Sequence, residues 1–235
     1  MAELHSRITE NLARIRQQIA EAATRAGRDA AEVRLVAVTK YVDADAARAL
    51  LDAGCQDLGE SRPQELWRKA EALADAEVRW HFIGHLQRNK VRRTLPHLTL
   101  LHACDSLRLL EELDRVAADV SREVRALLEV NISGDSSKHG FRPSEMASVV
   151  DSLPDYKHVR ICGLMGMAGL AGNLDDARLD FARLRQLRES LAGNVPAGVE
   201  VNELSMGMSG DFEVAIEEGA TMVRVGSALF EGLDA

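Results

Sequence analysis

A chain of 235 residues, 46% hydrophobic but only 4% aromatic, has room for one large α/β domain with a core of Ala, Val, Leu and Ile. Its formal net charge of -8 excludes a general binder of nucleic acid or anionic membrane, both of which need a basic surface. Cys55, Cys104 and Cys162 lack any metal or CxxC spacing and read as reduced core thiols; no leader-like amino terminus or membrane-length apolar run is present, so a cytoplasmic location is expected.

Leu4, Ile8, Leu12, Ile15 and Ile19 recur at helical spacing and predict an amphipathic helix over 4–25, stopped near Gly27, that serves as a lid or a brace ahead of the first strand. Residues 33–40, VRLVAVTK, form a β-branched apolar run suited to a strand buried on both faces. It ends in Lys40, a cation that must find a partner or step out into solvent. Helices are then expected over 43–53, 63–73, 89–95, 106–119, 143–152, 174–191 and 212–218, with a short one from Ser227. Strands are expected over 56–58, 79–83, 98–103, 125–130, 159–164, 201–204 and 221–225. With the first run, that makes eight strands, each followed by a helical stretch, the number that closes a barrel. An open doubly wound sheet would fit the same alternation, but its GxGxxG marker is missing after the first strand. The expected fold is therefore a single TIM-type (β/α)8 barrel over 1–235 with an extra N-terminal helix.

In such barrels chemistry sits at the carboxyl ends of the strands, and phosphate sites commonly follow strands seven and eight. Residues 205–211, SMGMSGD, and 224–227, RVGS, place glycine and hydroxyl residues there. Ser209, Gly210, Gly226 and Ser227 at two helix starts predict a phosphate cradle, with Ser209 capping the next helix. Arg224 shares the face of Gly226 and so points into the barrel or its mouth. Barrel closure brings Lys40, after strand one, beside strand eight. Lysine, arginine and cradle together suit an aldehyde cofactor carrying a phosphate, held by a lysine Schiff base. An arginine can donate to a pyridine nitrogen but not readily protonate it, so such a site holds the cofactor better than it exploits it.

The motifs VAVTK at 36–40, GE at 59–60, WHFIGHLQRNK at 80–90, VNISGDSSKHGF at 130–141, GLMGMA at 163–168, LSMGMSGDF at 204–212 and VRVGSALFEG at 223–232 follow in this order. On these the chain closely resembles the pyridoxal phosphate homeostasis proteins, the YggS/PROSC-like family that binds pyridoxal 5'-phosphate (PLP). The resemblance implies an alanine-racemase-like barrel (PLP fold type III) without that enzyme's second, β-rich domain. It implies PLP on Lys40, phosphate at Ser209, Gly226 and Ser227, and Arg224 facing the pyridine nitrogen. It also implies a non-catalytic role in PLP (vitamin B6) supply, storage or carriage, with PLP-dependent apo-enzymes as recipients and a monomer or weak homodimer as the assembly. Two departures stand out: Ser61 occupies a position where the family often has Asn, and Ser227 one where it often has Thr.

Rival readings are a PLP-dependent racemase or decarboxylase, which needs a second acid/base opposite the lysine, and a Schiff-base aldolase acting on a sugar phosphate. Tyr41, Tyr156, His85, His139 and Cys162 are the acid/base candidates. The basic run 87–93 reads as a solvated helix face or local anion site rather than a nucleic-acid contact. Asp135, Lys138 and His139 read either as a lid or as a polar surface loop.

Overall fold

The computed structural model describes residues 2–135, 138–169, 172–196 and 199–233. Its strands are β1 (Arg34–Val38), β2 (Asp57–Glu60), β3 (Arg79–Phe82), β4 (Leu98–Cys104), β5 (Val124–Glu129), β6 (Val159–Met165), β7 (Glu203–Ser205) and β8 (Met222–Val225). All pair in parallel in sequence order and close into a barrel, with Ala37 of β1 opposite Val225 of β8. The expected TIM-type barrel is what forms: eight short parallel strands, each followed by a helical segment that returns the chain to the start of the next strand.

The helices are α1 (Ala2–Arg25), α2 (Ala44–Asp52), α3 (Pro63–Ala72), α4 (Val91–Thr94), α5 (Leu107–Asp119), α6 (Met146–Ser152), α7 (Leu174–Ala192) and α8 (Phe212–Glu217). α1 buries Ile8, Leu12, Ile15 and Ile19 against α2 and α8, and its Asn11 Nδ2 donates to the carbonyls of Leu229 and Glu231 at 3.1 and 3.0 Å. The expected brace thus ties both ends of the barrel sequence together. Cys55, Cys104 and Cys162 are buried free thiols, as expected.

Three boundaries differ in ways that matter for the site. β2 starts at Asp57 and runs to Glu60, so Gly59 and Glu60 belong to the sheet. β7 is displaced to Glu203–Ser205, which brings Ser205 into the barrel. The stretch expected as one helix over 89–95 breaks into a 3-10 turn, the single turn α4, and a second 3-10 turn begun by Leu95 and Pro96, since proline ends the α-helical hydrogen-bond ladder.

The main core lies between sheet and helices, but a smaller apolar cluster of Leu100, Leu127, Met165 and Met222 is separate from it. Met222 and Leu100 stand two residues from Arg224 and His102, so these four share the inward face of their strands. The barrel interior is therefore apolar at one level and polar at the next.

Candidate functional site at the barrel mouth

Lys40 lies in the turn directly after β1, with its Nζ 4.8 Å from the centre of the exposed Tyr41 ring. The backbone that carries it is clamped by its neighbour, Thr39, which is fully buried. Thr39 donates through N–H to the Gly59 carbonyl at 2.9 Å and through Oγ1 to Glu60 Oε1 at 2.8 Å. Its own carbonyl accepts from Lys69 Nζ at 2.6 Å. Lys69 and Glu60, both 0% exposed, form an ion pair behind this residue. A charge buried on its own would be costly; here each charge offsets the other, and Glu60 Oε2 is left without a hydrogen-bond partner.

Arg224, 4% exposed, projects into the barrel. Its Nη1 donates to Ser205 Oγ at 2.5 Å and its Nη2 to the Gly166 carbonyl at 3.1 Å. Ser205 Oγ lies 2.8 Å from His102 Nδ1, His102 Nε2 lies 2.8 Å from His81 Nδ1, and His81 Nε2 lies 2.9 Å from Asp57 Oδ1. Arg79 closes the far end on Asp57, through Nε at 3.0 Å and Nη2 at 2.6 Å. Burial alone would raise the Asp57 carboxyl, but the bonds from His81 and Arg79 outweigh it and hold it well below the usual carboxylate range.

Hydrogen counting orients this chain of five side chains. An ionised Asp57 only accepts, so His81 donates from Nε2. Burial lowers the pKa of His81 and, further, of His102, so both rings are neutral. Each neutral ring has one donor and one acceptor; His102 Nε2 therefore donates to His81 Nδ1, and the Ser205 hydroxyl donates to His102 Nδ1. Ser205 is left to accept from Arg224. Every link has one donor and one acceptor, which fixes the guanidinium in a single orientation. Burial brings its pKa down to about 10, opposed by Asp211 and Glu129, so it stays charged at neutral pH.

The glycine and hydroxyl residues after β7 and β8 meet as expected, but by a different contact. Ser209 does not cap α8; Asp211 is the residue at that position, accepting from Met208 N–H at 2.5 Å, while Ser209 Oγ accepts from Gly226 N–H at 3.1 Å. One hydroxyl thus fastens the two loops to each other. The helix after β8 is only a 3-10 turn over Ser227–Leu229, and α8 has six residues, so the anion-binding capacity rests on local N–H groups and hydroxyls rather than on long helix dipoles. Gly207, at φ +91 and with 2.6 Å between an added Cβ and that of Ala215, has to be glycine. An added Cβ on Gly226 would sit 3.3 Å from Val38 Cβ, whereas one on the exposed Gly210 would meet no protein atom within 4 Å.

Lys40, Ser61, Ser209, Gly210, Arg224, Gly226 and Ser227 all line one cavity of about 890 Å³, with Leu4, Phe230 and Leu233 on its rim. Ser61 enters this wall because Gly84 lets the loops after β2 and β3 touch: an added Cβ there would be 2.3 Å from the Ser61 carbonyl oxygen. The wall supplies one amine, one fixed guanidinium, and hydroxyls and glycine backbone at the far end. That set fits a phosphorylated pyridine aldehyde, and the open space at Gly210 leaves its backbone accessible to a phosphate.

Of the acid/base candidates, Tyr41, 79% exposed beside Lys40, lines the same cavity, while Tyr156, His85, His139 and Cys162 do not. Lys138 donates to the carbonyl of Ala168 at 2.7 Å and to Ser133 Oγ at 3.2 Å, fastening the loop after β5 to the loop after β6; Ser136 and Ser137 of that loop lie outside the described residues. In the basic run, the Arg93 guanidinium lies 4.0 Å over the Trp67 ring and Arg92 pairs with Asp119, so both cations have partners within the fold. Glu129, at the end of β5, is pushed up to about 7 by burial and by Asp105, against the pull of Arg224 and His85.

Thr39, Glu60, His81 and Ser205 stand within the motifs quoted above, but their buried roles, and those of Asp57, Lys69 and His102, do not show plainly in the local sequence. Some signals were present. Lys69 stands three residues after Leu66 and four before Leu73, inside the apolar stripe of α3. His81 and His102 each stand between apolar residues of their strands, which marks buried polar groups without naming their partners.

Residues 11–234 match the family described as alanine racemase, N-terminal domain. The chain is 38% identical over 221 residues to the pyridoxal phosphate homeostasis protein of Aquifex aeolicus, covering 94% of this chain and 96% of the relative. A crystal structure of an unknown protein from Bifidobacterium adolescentis superposes with a TM-score of 0.91 at 37% identity, covering 98% of this chain and 97% of that one. PipY of Synechococcus elongatus PCC7942, in a structure with PLP bound, superposes with a TM-score of 0.85 at 35% identity, covering 95% of this chain and 99% of PipY.

Proposed function

Because the chain belongs to the pyridoxal phosphate homeostasis proteins, within the alanine racemase N-terminal domain family, we propose that it binds PLP in the cavity between β1 and β8 and serves intracellular PLP homeostasis as a carrier or store. The observation that carries this reading is the convergence of Lys40, Arg224 and the Ser209–Gly226 contact on one cavity wall. Bound PLP supplies an aldehyde that a lysine amine can hold covalently. Lys40 is the amine at the cavity wall, Ser209, Gly210, Gly226 and Ser227 are the phosphate holders, and Arg224 is the donor toward the ring nitrogen.

The support for holding rather than turnover is Arg224 itself. It is charged, buried and saturated on its inner side by Ser205 and Gly166, so it donates a hydrogen bond but does not readily give up a proton. Its proposed place of work is the cytoplasm, with PLP-requiring apo-enzymes as recipients.

Borohydride reduction followed by peptide mass analysis is expected to put a pyridoxyl adduct on Lys40, and Lys40→Ala to abolish the visible absorbance of the purified protein. An unmodified Lys40 with the label elsewhere would sink the assignment. Racemase and decarboxylase assays are expected to give no turnover above free PLP; robust turnover with any amino acid would overturn the carrier reading. Loss of PLP from the loaded protein to an apo-enzyme faster than its spontaneous release tests carriage.

A further inference from the structure

At the same mouth, three consecutive strand ends bring together side chains that the cofactor cavity does not use. His85 follows β3, Asp105 follows β4 directly, and His139 lies in the loop after β5. None of them lines the cavity of Lys40 and Arg224. Their ligand atoms all lie within 4.8 Å of one another. The two imidazoles are stacked, with centroids 4.6 Å apart and planes 15° from parallel. His85 Nδ1 is 2.6 Å from Asp105 Oδ2, and the other oxygen of Asp105 accepts from Ser106 Oγ at 3.0 Å.

We propose that His85, Asp105 and His139 form a binding site for a divalent transition-metal cation of the zinc class. The donor set is the reason for the class. Two imidazoles and one carboxylate suit Zn²⁺ and its first-row neighbours, whereas a hard cation such as Mg²⁺ or Ca²⁺ asks for an all-oxygen shell. The cation takes the place of the proton shared between His85 and Asp105, and the two ligand atoms move apart from their hydrogen-bonded 2.6 Å to admit it. The His85 side chain, 47% exposed, has room for that movement, while Asp105, 6% exposed and held by Ser106, is the fixed point.

Three protein ligands from separate loops leave coordination positions to water, as in open rather than purely structural zinc sites. A cation there would clip the loop after β5 to the ends of β3 and β4 on the functional face of the barrel. The site is independent of whether PLP is the resident of the neighbouring cavity.

The test is titration of the tag-free, chelator-treated full chain with Zn²⁺ by calorimetry and with Co²⁺ by visible absorption. One equivalent per chain is expected, with a Co²⁺ spectrum of low coordination number. His85→Ala, His139→Ala and Asp105→Asn are each expected to weaken binding by at least about tenfold, the smaller end of what losing even an outer-shell partner costs. Lys40→Ala is expected to bind the metal normally, which separates this site from the cofactor cavity. His85 and His139 are exposed, so their variants keep the far-UV circular dichroism of the parent. Substoichiometric binding, or binding unchanged in the His85→Ala/His139→Ala pair, would overturn the site and leave an ion pair with a stacked imidazole.

Discussion

Two buried polar networks stand behind the two cations of the site, and they are built on opposite principles. Behind Lys40, full charges meet: Lys69 and Glu60 pair in the interior and grip Thr39, so what they fix is backbone. Behind Arg224, a relay of Ser205 and two neutral imidazoles runs to Asp57, and what it fixes is a side-chain orientation. The difference matches the tasks proposed for them. A lysine that captures and releases an aldehyde needs a rigid root and a free tip, whereas a guanidinium that meets one ring atom needs its whole plane held.

The largest effect should come from opening the charged network. Lys69→Met leaves Glu60 as an uncompensated buried charge, and urea unfolding is expected to show a loss of about 3–5 kcal/mol. Adding Glu60→Leu in the same chain should restore most of that loss while leaving the Thr39 carbonyl unclamped, so PLP capture at Lys40 stays impaired after stability returns. If the single variant is as stable as the parent, the pair is not what holds this end of β1.

Breaking the neutral relay should cost less. Ser205→Ala leaves Arg224 Nη1 and His102 Nδ1 without their shared partner, a loss of about 1–3 kcal/mol in urea unfolding. Ser205→Thr keeps the hydroxyl and should recover both stability and the absorption spectrum of bound PLP. An unchanged spectrum in Ser205→Ala would mean that the relay does not orient Arg224.

The neutral relay also carries a pH response. His81 and His102 have folded-state values depressed by burial below the ordinary histidine value. Below about pH 6.5 the unfolded chain takes up protons that the folded chain refuses, so stability falls as pH falls through that point, by up to about 1.4 kcal/mol per unit for each ring. His102→Gln removes one titrating ring and should flatten the slope of thermal stability on the acid side. An equal slope in parent and variant would show that His102 is not buried neutral.

The smallest change is expected at the cradle, where function and stability part. Ser227 is exposed, so Ser227→Ala should leave unfolding within about 0.5 kcal/mol of the parent. PLP release should nonetheless quicken several-fold, since one hydrogen bond of about 1 kcal/mol to the phosphate is gone. An unaltered release rate would remove Ser227 from the phosphate holders.

Much of the site was legible before folding. Lys40 stands out because a buried strand ends in a cation, and Ser209, Gly210, Gly226 and Ser227 because glycine and hydroxyl residues recur after the last two strands. The partner of Ser209 was not legible. A hydroxyl near a helix start reads as a cap from local sequence alone, and only the approach of the loop after β8 turns it toward Gly226. Ser205 was likewise hidden while the seventh strand was expected to end at 204, one residue short of it.

The alternation of strand and helix, the count of eight that closes the ring, and the two cations at its seam can be read along the chain, because each depends on periodicity and end signals within a few residues. The tertiary structure alone decided which buried polar groups meet. Asp57, His81, His102, Ser205 and Arg224 come from β2, β3, β4, β7 and β8, and no local pattern relates them. Only closure of the barrel turns their inward faces toward one axis, where each must find a partner or lose the free energy of an unmade hydrogen bond.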